Sequence, residues 1–292
     1  MTYFEKVMCK LDDIGRNSKL IHIENDKMFP DKKKIFAVLL DTLALLFPGH
    51  YTPQTSNSDM SPAETVSLSL AEQIDRALSL TGKKSALSGF EIAKKYIAGL
   101  PELKEVLLTD IEALYKGDPA AEFRDEVVAC YPGFFATAVY RIAHILYEMD
   151  VPVIPRIMTE YAHSKTGIDI HPGASIGSYF FIDHGTGIVI GETTVIGCNV
   201  KLYQGVTLGA KSFEKDQEGN PVKRLKRHPN IGNNVIIYAN ATILGGKTFI
   251  GDNCVIGAST WIVESVPAGT TVLYSSNTEK MLQLWGDNGS GI

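Results

Sequence analysis

From residue 170 onward an aliphatic side chain returns every sixth position. The series runs Ile170, Ile176, Ile182 and Ile188, then Ile190, Ile196, Leu202 and Leu208, then Ile231, Ile237 and Ile243, and last Ile250, Ile256 and Ile262. A period of six is neither the 3.6 of an α-helix nor the 2 of a lone strand. It suits a triangular coil of three short strands per turn, in which one aliphatic side chain per strand fills the inside. Three hexads, roughly 18 residues, complete a turn, and each turn buries its apolar inside only by stacking on the next. Glycine follows the aliphatic residue in Ile176-Gly177, Ile190-Gly191, Ile196-Gly197, Leu208-Gly209, Ile231-Gly232, Ile250-Gly251 and Ile256-Gly257. Such glycines, with asparagine, are read as relieving corners of positive φ.

The frame breaks three times. Leu208 and Ile231 are 23 positions apart, so about 17 residues, Lys211 to Arg227, leave the coil as a loop. A loop of that length in a compact fold is usually functional or disordered. Two smaller breaks, between Ile188 and Ile190 and near Lys247 to Phe249, read as bulges.

The first 165 residues show helical spacing instead. Helices are expected over Lys34 to Phe47, from the capping box Ser61-Pro62-Ala63-Glu64 to Thr81, and over Glu91 to Ala98, Glu102 to Lys116, Pro119 to Cys130, Phe134 to Met149 and Pro155 to Ser164. The expected organisation is a helical region 1–165, a coil 166–273 with a loop at about 210–228, and a tail 274–292.

Bulk properties exclude several classes. A formal net charge of -5 disfavours a nucleic-acid partner, and the short run Lys223-Arg224-Leu225-Lys226-Arg227-His228 reads as a solvated loop. Four cysteines without C-x-x-C spacing suggest neither a disulfide framework nor a zinc site, in keeping with a cytoplasmic location. The longest apolar stretch, Ile35 to Phe47, is 13 residues broken by Asp41, short of the roughly 20 that span a bilayer. The acidic N-terminus does not read as a signal peptide.

Chemistry is sought in polar residues that the repeat does not require. Asp183-His184 interrupts a hexad, and Arg227-His228 stands where the loop rejoins the frame. Histidine is the natural general base for an alcohol attacking a thioester. A carboxylate would orient it, and Asp169 is the nearest upstream candidate, although an 18-residue coil places Thr166, not Asp169, beneath His184. His22, His50, His144, His163 and His171 keep a structural reading. Thr207-Leu208-Gly209-Ala210 offers backbone donors and close approach before the loop, as an acyl-CoA groove needs.

Over roughly Asp118 to Pro267 the chain resembles the serine O-acetyltransferase family. The resemblance is carried, in order, by Gly117-Asp118-Pro119-Ala120, Tyr140-Arg141-Ile142-Ala143-His144, Asp169-Ile170-His171-Pro172, Asp183-His184-Gly185-Thr186-Gly187-Ile188-Val189-Ile190-Gly191-Glu192-Thr193, Gln204-Gly205-Val206-Thr207-Leu208-Gly209 and Arg227-His228-Pro229. It implies an α+β chain whose helical N-terminal domain precedes a left-handed parallel β-helix. It implies acetyl transfer from acetyl-CoA to the hydroxyl of L-serine, the first step of cysteine biosynthesis, without a metal. His184 would be the base with Asp169 as partner. His228 and Arg227 would hold the serine carboxylate, Asp118 and Asp183 its ammonium group. Backbone near Gly209, Ala210, Ala239 and Ala258 would line the acetyl-CoA groove. The resemblance further implies a homotrimer or hexamer with sites between subunits, inhibition by L-cysteine, and docking of the C-terminal Ile292 in O-acetylserine sulfhydrylase.

Departures from the family pattern are Ala210 in place of a second glycine, a longer and more charged loop, and no Val-Pro-Ala-Arg-like ending after Val272. Three rivals share the scaffold: acetyl transfer to a sugar hydroxyl, a three-histidine zinc hydro-lyase, and a non-catalytic sulfhydrylase partner.

Overall fold

The computed structural model describes residues 1–17, 29–55, 59–81, 85–223 and 225–274, so Arg224 and the tail with Ile292 lie outside the described residues. Among the described residues eight helices precede the first strand: α1 (Tyr3–Asn17), α2 (Lys32–Leu46), α3 (Pro62–Thr81), α4 (Gly89–Ala98), α5 (Leu100–Gly117), α6 (Arg124–Cys130), α7 (Pro132–Glu148) and α8 (Ile154–Thr166). The Ser61 box forms as expected: the Glu64 N–H donates to Ser61 Oγ at 3.3 Å and the Ser61 N–H to Glu64 Oε2 at 2.9 Å. A second box, Ser88 with Glu91, opens α4 two residues earlier than the spacing suggests. Helix α1 was not expected, and α6 is shorter than expected because Asp118 caps α5 and residues 118–123 turn before the chain recoils. No described helix is long and apolar enough to cross a membrane.

Fourteen strands among the described residues then form a three-sided, left-handed parallel β-helix. Face one stacks β1 (Asp169–Ile170), β4 (Val189–Ile190), β7 (Thr207–Gly209), β10 (Thr242–Leu244) and β13 (Trp261–Ile262). Face two stacks β2 (Ser175–Ile176), β5 (Val195–Ile196), β8 (Asn230–Ile231) and β11 (Phe249–Ile250). Face three stacks β3 (Phe181–Ile182), β6 (Lys201–Leu202), β9 (Ile236–Ile237), β12 (Val255–Ile256) and β14 (Thr271–Val272). The register joins the aliphatic series directly: Ile170 to Ile190, Ile176 to Ile196 to Ile231 to Ile250, and Ile182 to Leu202 to Ile237 to Ile256. Every one of these side chains is buried in one continuous core.

The glycines after the aliphatic residues serve a different purpose from the one their spacing suggests. Positive φ at the corner between faces two and three falls instead on Tyr179, Asn199, Asn234 and Asn253, and the three asparagines hydrogen-bond to one another up the stack. Gly177, Gly197 and Gly232 sit two positions earlier, where a Cβ would press on the backbone or a side chain of the next turn. Close stacking, not left-handed backbone, requires them.

Helix α7 joins the two halves. Phe134, Val139 and Ile142 face the helical core while Ala136 and Tyr140 face the coil. Between them Arg141, 8% exposed, donates from Nε and Nη2 to both oxygens of the fully buried Asp110 on α5, and from its guanidinium to the carbonyls of Ile176 and Gly177. Asp110 also accepts from the Phe180 N–H at 2.9 Å.

Candidate active site

The sequence-predicted site residues fall on two different edges of the triangular coil. On the edge between faces three and one, the register Ile182–Leu202–Ile237–Ile256 places His184, Gln204, Ala239 and Ala258 in one column, each two residues further on. His184 stands on the two-residue bulge seen as a frame break, with φ 55°, beside Gly185 and Gly187, both at positive φ. Its side chain is 71% exposed, and Nδ1 lies 3.7 Å from Asp183 Oδ1, too far for a hydrogen bond.

The helices bring further charge to this edge. A Cβ at Gly117 would overlap the Phe181 ring and one at Gly133 would overlap the Ile182 carbonyl, so the C-terminus of α5 and the N-terminus of α7 press on β3 just before His184. Asp118 and Tyr131 lie at those two ends, joined by a 2.5 Å hydrogen bond from the tyrosine hydroxyl to Oδ2. That bond, the Ala120 N–H on Oδ1 and the nearby His184 hold the Asp118 carboxyl below its ordinary range. Burial, together with Asp118 and Asp183, raises Tyr131 and Tyr203, which therefore stay neutral hydrogen-bonding hydroxyls beside two carboxylates.

The second edge, between faces one and two, carries Gly209, Ala210, Arg227 and His228. Arg227 Nη2 meets Glu192 Oε2 at 2.5 Å, and Tyr147 donates to the other oxygen of Glu192 at 3.2 Å. His228 is 7% exposed and lies over Gly191, where any Cβ would overlap the ring. The preceding Lys226 donates from Nζ to the Thr193 carbonyl and to Asn230. The basic run is thus built into the site at its end rather than left as a solvated loop. The loop itself returns through an antiparallel bridge between Lys215 and Pro221 and covers a pocket of about 370 Å³, whose cations are Lys211, Lys226, Arg227 and Lys247.

Burial first, and then Arg227, pulls the His228 pKa down to about 4, with Lys226 and His171 adding to the effect and Glu192 opposing it. As pH falls the unfolded chain therefore binds this proton first, so the contribution to stability is complete above about 6.5 and is lost between there and 4. Urea unfolding is expected to show the parent losing on the order of 2 kcal/mol more than His228→Gln over that interval. Equal losses in the two proteins would contradict a buried neutral imidazole.

Asp169 opens β1. It sits on the outer side of face one, paired in register with Val189, and no hydrogen bond among the described residues joins it to His184. Its carboxylate gathers instead with Glu160 and His163 of α8, one ligand atom from each lying within 4.8 Å of the others. This is the one such metal-competent group among the described residues, and Glu160 is exposed in it. A larger cleft of about 610 Å³ opens beside Tyr147, Arg156, His171, Glu192 and Thr193. Burial, and then Arg156, lowers the pKa of His171 there.

Glu192, Thr193 and Tyr131 were not singled out by the sequence as site residues. The available signal was that Glu192 and Thr193 follow the Ile190-Gly191 step as polar residues at the end of the Asp183–Thr193 motif.

No family model matches the chain. The chain is 40% identical over 275 residues to a plasmid-borne serine acetyltransferase of Synechococcus elongatus, covering 86% of this chain and 84% of the relative. Among solved structures, serine acetyltransferase 1 of Entamoeba histolytica in complex with L-cysteine superposes with a TM-score of 0.68 at 37% identity, covering 92% of this chain and 97% of that one. The Neisseria gonorrhoeae serine acetyltransferase in complex with serine follows with a TM-score of 0.56 at 28% identity, covering 89% and 98%. Identity of this extent over more than four fifths of both chains shows that the chain belongs to the serine acetyltransferase family.

Proposed function

We propose that the protein converts L-serine and acetyl-CoA to O-acetyl-L-serine and CoA in a site shared by two subunits. The observation that carries this reading is the division of charge between the edges. One edge offers the carboxylates Asp118 and Asp183 beside His184, the other offers the guanidinium of Arg227 beside His228. Serine carries an ammonium, a carboxylate and a hydroxyl, and needs all of these groups at once. A sugar hydroxyl offers nothing for either charged set to bind.

A threefold arrangement of coils supplies what one chain lacks, because it sets the His184 edge of each copy against the Arg227 edge of the next. In that assembly His184 takes the proton from the serine Oγ as the oxygen attacks the thioester carbonyl. The C–S bond then breaks and the thiolate of CoA recovers the proton from the imidazolium. Asp118 and Asp183 of its own chain favour that imidazolium and bind the ammonium group. Asp169 orients His184 only if a neighbouring subunit delivers it to the ring. The Ala239 and Ala258 column, stacked beyond His184 and Gln204, leaves room for the pantetheine arm, and Gly209 and Ala210 do so on the facing edge. The cation-lined pocket under the loop suits the phosphates of CoA.

The L-cysteine and serine complexes of relatives support binding of both amino acids in the same clamp, since they differ only in a thiol for a hydroxyl. Cysteine thus acts as an inhibitor competing with serine. A C-terminal Ile292 suits docking to O-acetylserine sulfhydrylase. CoA release from acetyl-CoA, measured with and without L-serine and then with added L-cysteine, tests the reading. A serine-dependent rate that cysteine suppresses is expected. Equal release with a galactoside or maltose in place of serine would sink it.

A further inference from the structure

The dipeptide Glu192-Thr193 touches both members of Arg227-His228, and the contacts are of a kind that fixes chemistry. The backbone N–H of Thr193, which can only donate, points at His228 Nδ1 at 3.0 Å. Nδ1 must therefore be the bare nitrogen of a neutral ring, and the single proton sits on Nε2. The Thr193 hydroxyl is committed in the same sense. Its oxygen accepts from the Arg227 N–H at 3.0 Å and the His228 N–H at 3.1 Å, which leaves its own proton for Nδ1 at 2.9 Å. One threonine thus saturates three donors and acceptors around the loop's return point. Glu192 completes the set through the 2.5 Å contact to Arg227 and is itself steadied by Tyr147.

We infer that Glu192 and Thr193 are positioning residues: Thr193 locks His228 as the Nε2–H tautomer, a donor toward substrate, while Glu192 aims the Arg227 guanidinium at the substrate carboxylate. The inference deepens the acetyl-transfer reading and rests on it for its kinetic part. Neither side chain needs to touch serine. Thr193 acts through the ring and the loop backbone, Glu192 through the guanidinium. Gly191 belongs to the same device, since its missing side chain is the space in which the His228 ring lies.

The two residues should separate in kinetics. Glu192→Gln keeps the shape but removes the charge that holds Arg227, so KM for serine is expected to rise about tenfold with kcat and the KM for acetyl-CoA nearly unchanged. Thr193→Val removes the hydroxyl and leaves the two loop N–H groups unpaired, so kcat/KM for serine should fall at least about tenfold, and Thr193→Ser should restore most of it. Independently of turnover, 15N NMR of histidine-labelled protein, with His228 assigned by difference from His228→Gln, should show the Nε2–H tautomer in the parent. An Nδ1–H signal for His228 overturns the inference, as does a Glu192→Gln enzyme with unchanged KM, or a Thr193→Ser enzyme as impaired as Thr193→Val. Should Thr193→Val fail to assemble, Thr193→Ser and Glu192→Gln still decide. Absence of serine-dependent turnover in the parent would strike the acetyl-transfer reading instead, while the tautomer would still be read directly.

Discussion

Replacing His184 by alanine or asparagine is expected to lower the serine-dependent rate at least about a hundredfold, the loss that follows removal of a general base. The site favours a clean outcome. The imidazole is 71% exposed in a single chain and joins no described hydrogen bond, so its removal leaves no core cavity and no orphaned partner. The backbone is the remaining concern, because φ at this position is 55° and alanine is strained there whereas asparagine is not. Agreement between the two variants therefore ascribes the loss to the missing imidazole rather than to a distorted corner. With Asp118, Asp183 and Arg227 proposed as the groups that bind the amino acid, the KM for serine should move far less than kcat. A residual rate within tenfold of the parent in both variants would remove His184 from the chemistry.

The position of this histidine also explains what the sequence could disclose. Each of the three departures from the six-residue frame coincides with a corner that holds or borders candidate site residues. The extra two positions after Ile182 lift His184 onto its bulge, the long insertion after Leu208 returns Arg227 and His228, and the extra residue after Ile243 makes room at Gly246 for the backbone of Lys226 and Arg227. A regular hexad is fully determined by stacking, so irregularity persists only where something else requires it. Strand positions were legible for the same reason: one buried aliphatic side chain per strand leaves a single register.

Other features were not legible, each for a physical cause. Whether a corner glycine is there for positive φ or for close approach depends on what lies one turn away, some 20 to 35 residues distant, as Gly177 under Gly197 and Gly197 under Gly232 show. Chain distance likewise does not disclose that Asp169, fifteen positions before His184, gathers within one chain with Glu160 and His163 of α8. Helix α1 keeps Phe4, Met8, Leu11 and Ile14 exposed, and no described core residue packs on it. The division of the site between two edges follows from the corner at which each motif falls, which six-residue periodicity alone does not number.

The second large effect concerns the junction that sets Asp118 against His184. Asp110 and Arg141 form a buried pair with every strong contact satisfied: the carboxylate accepts from Nε, from Nη2 and from the Phe180 N–H, and the guanidinium reaches two coil carbonyls. Asp110→Ala leaves the guanidinium buried without its counter-charge and is expected to cost about 3–5 kcal/mol in denaturant unfolding. That is a sizeable share of the stability of an ordinary domain. The pair Asp110→Leu with Arg141→Met removes both charges together and should recover much of the loss, because burying a satisfied ion pair brings little net stability. Activity should not recover in step. Asp118 caps the same helix eight residues beyond Asp110, and the hydrogen bonds that dock α5 and α7 on β3 fix where its carboxylate meets His184. The double variant is therefore expected to fold with near-parental stability but with a raised KM for serine, read by steady-state kinetics on folded protein. Parental stability in Asp110→Ala would show that the pair does not hold the fold, and a parental KM in the double variant would show that it does not position the site.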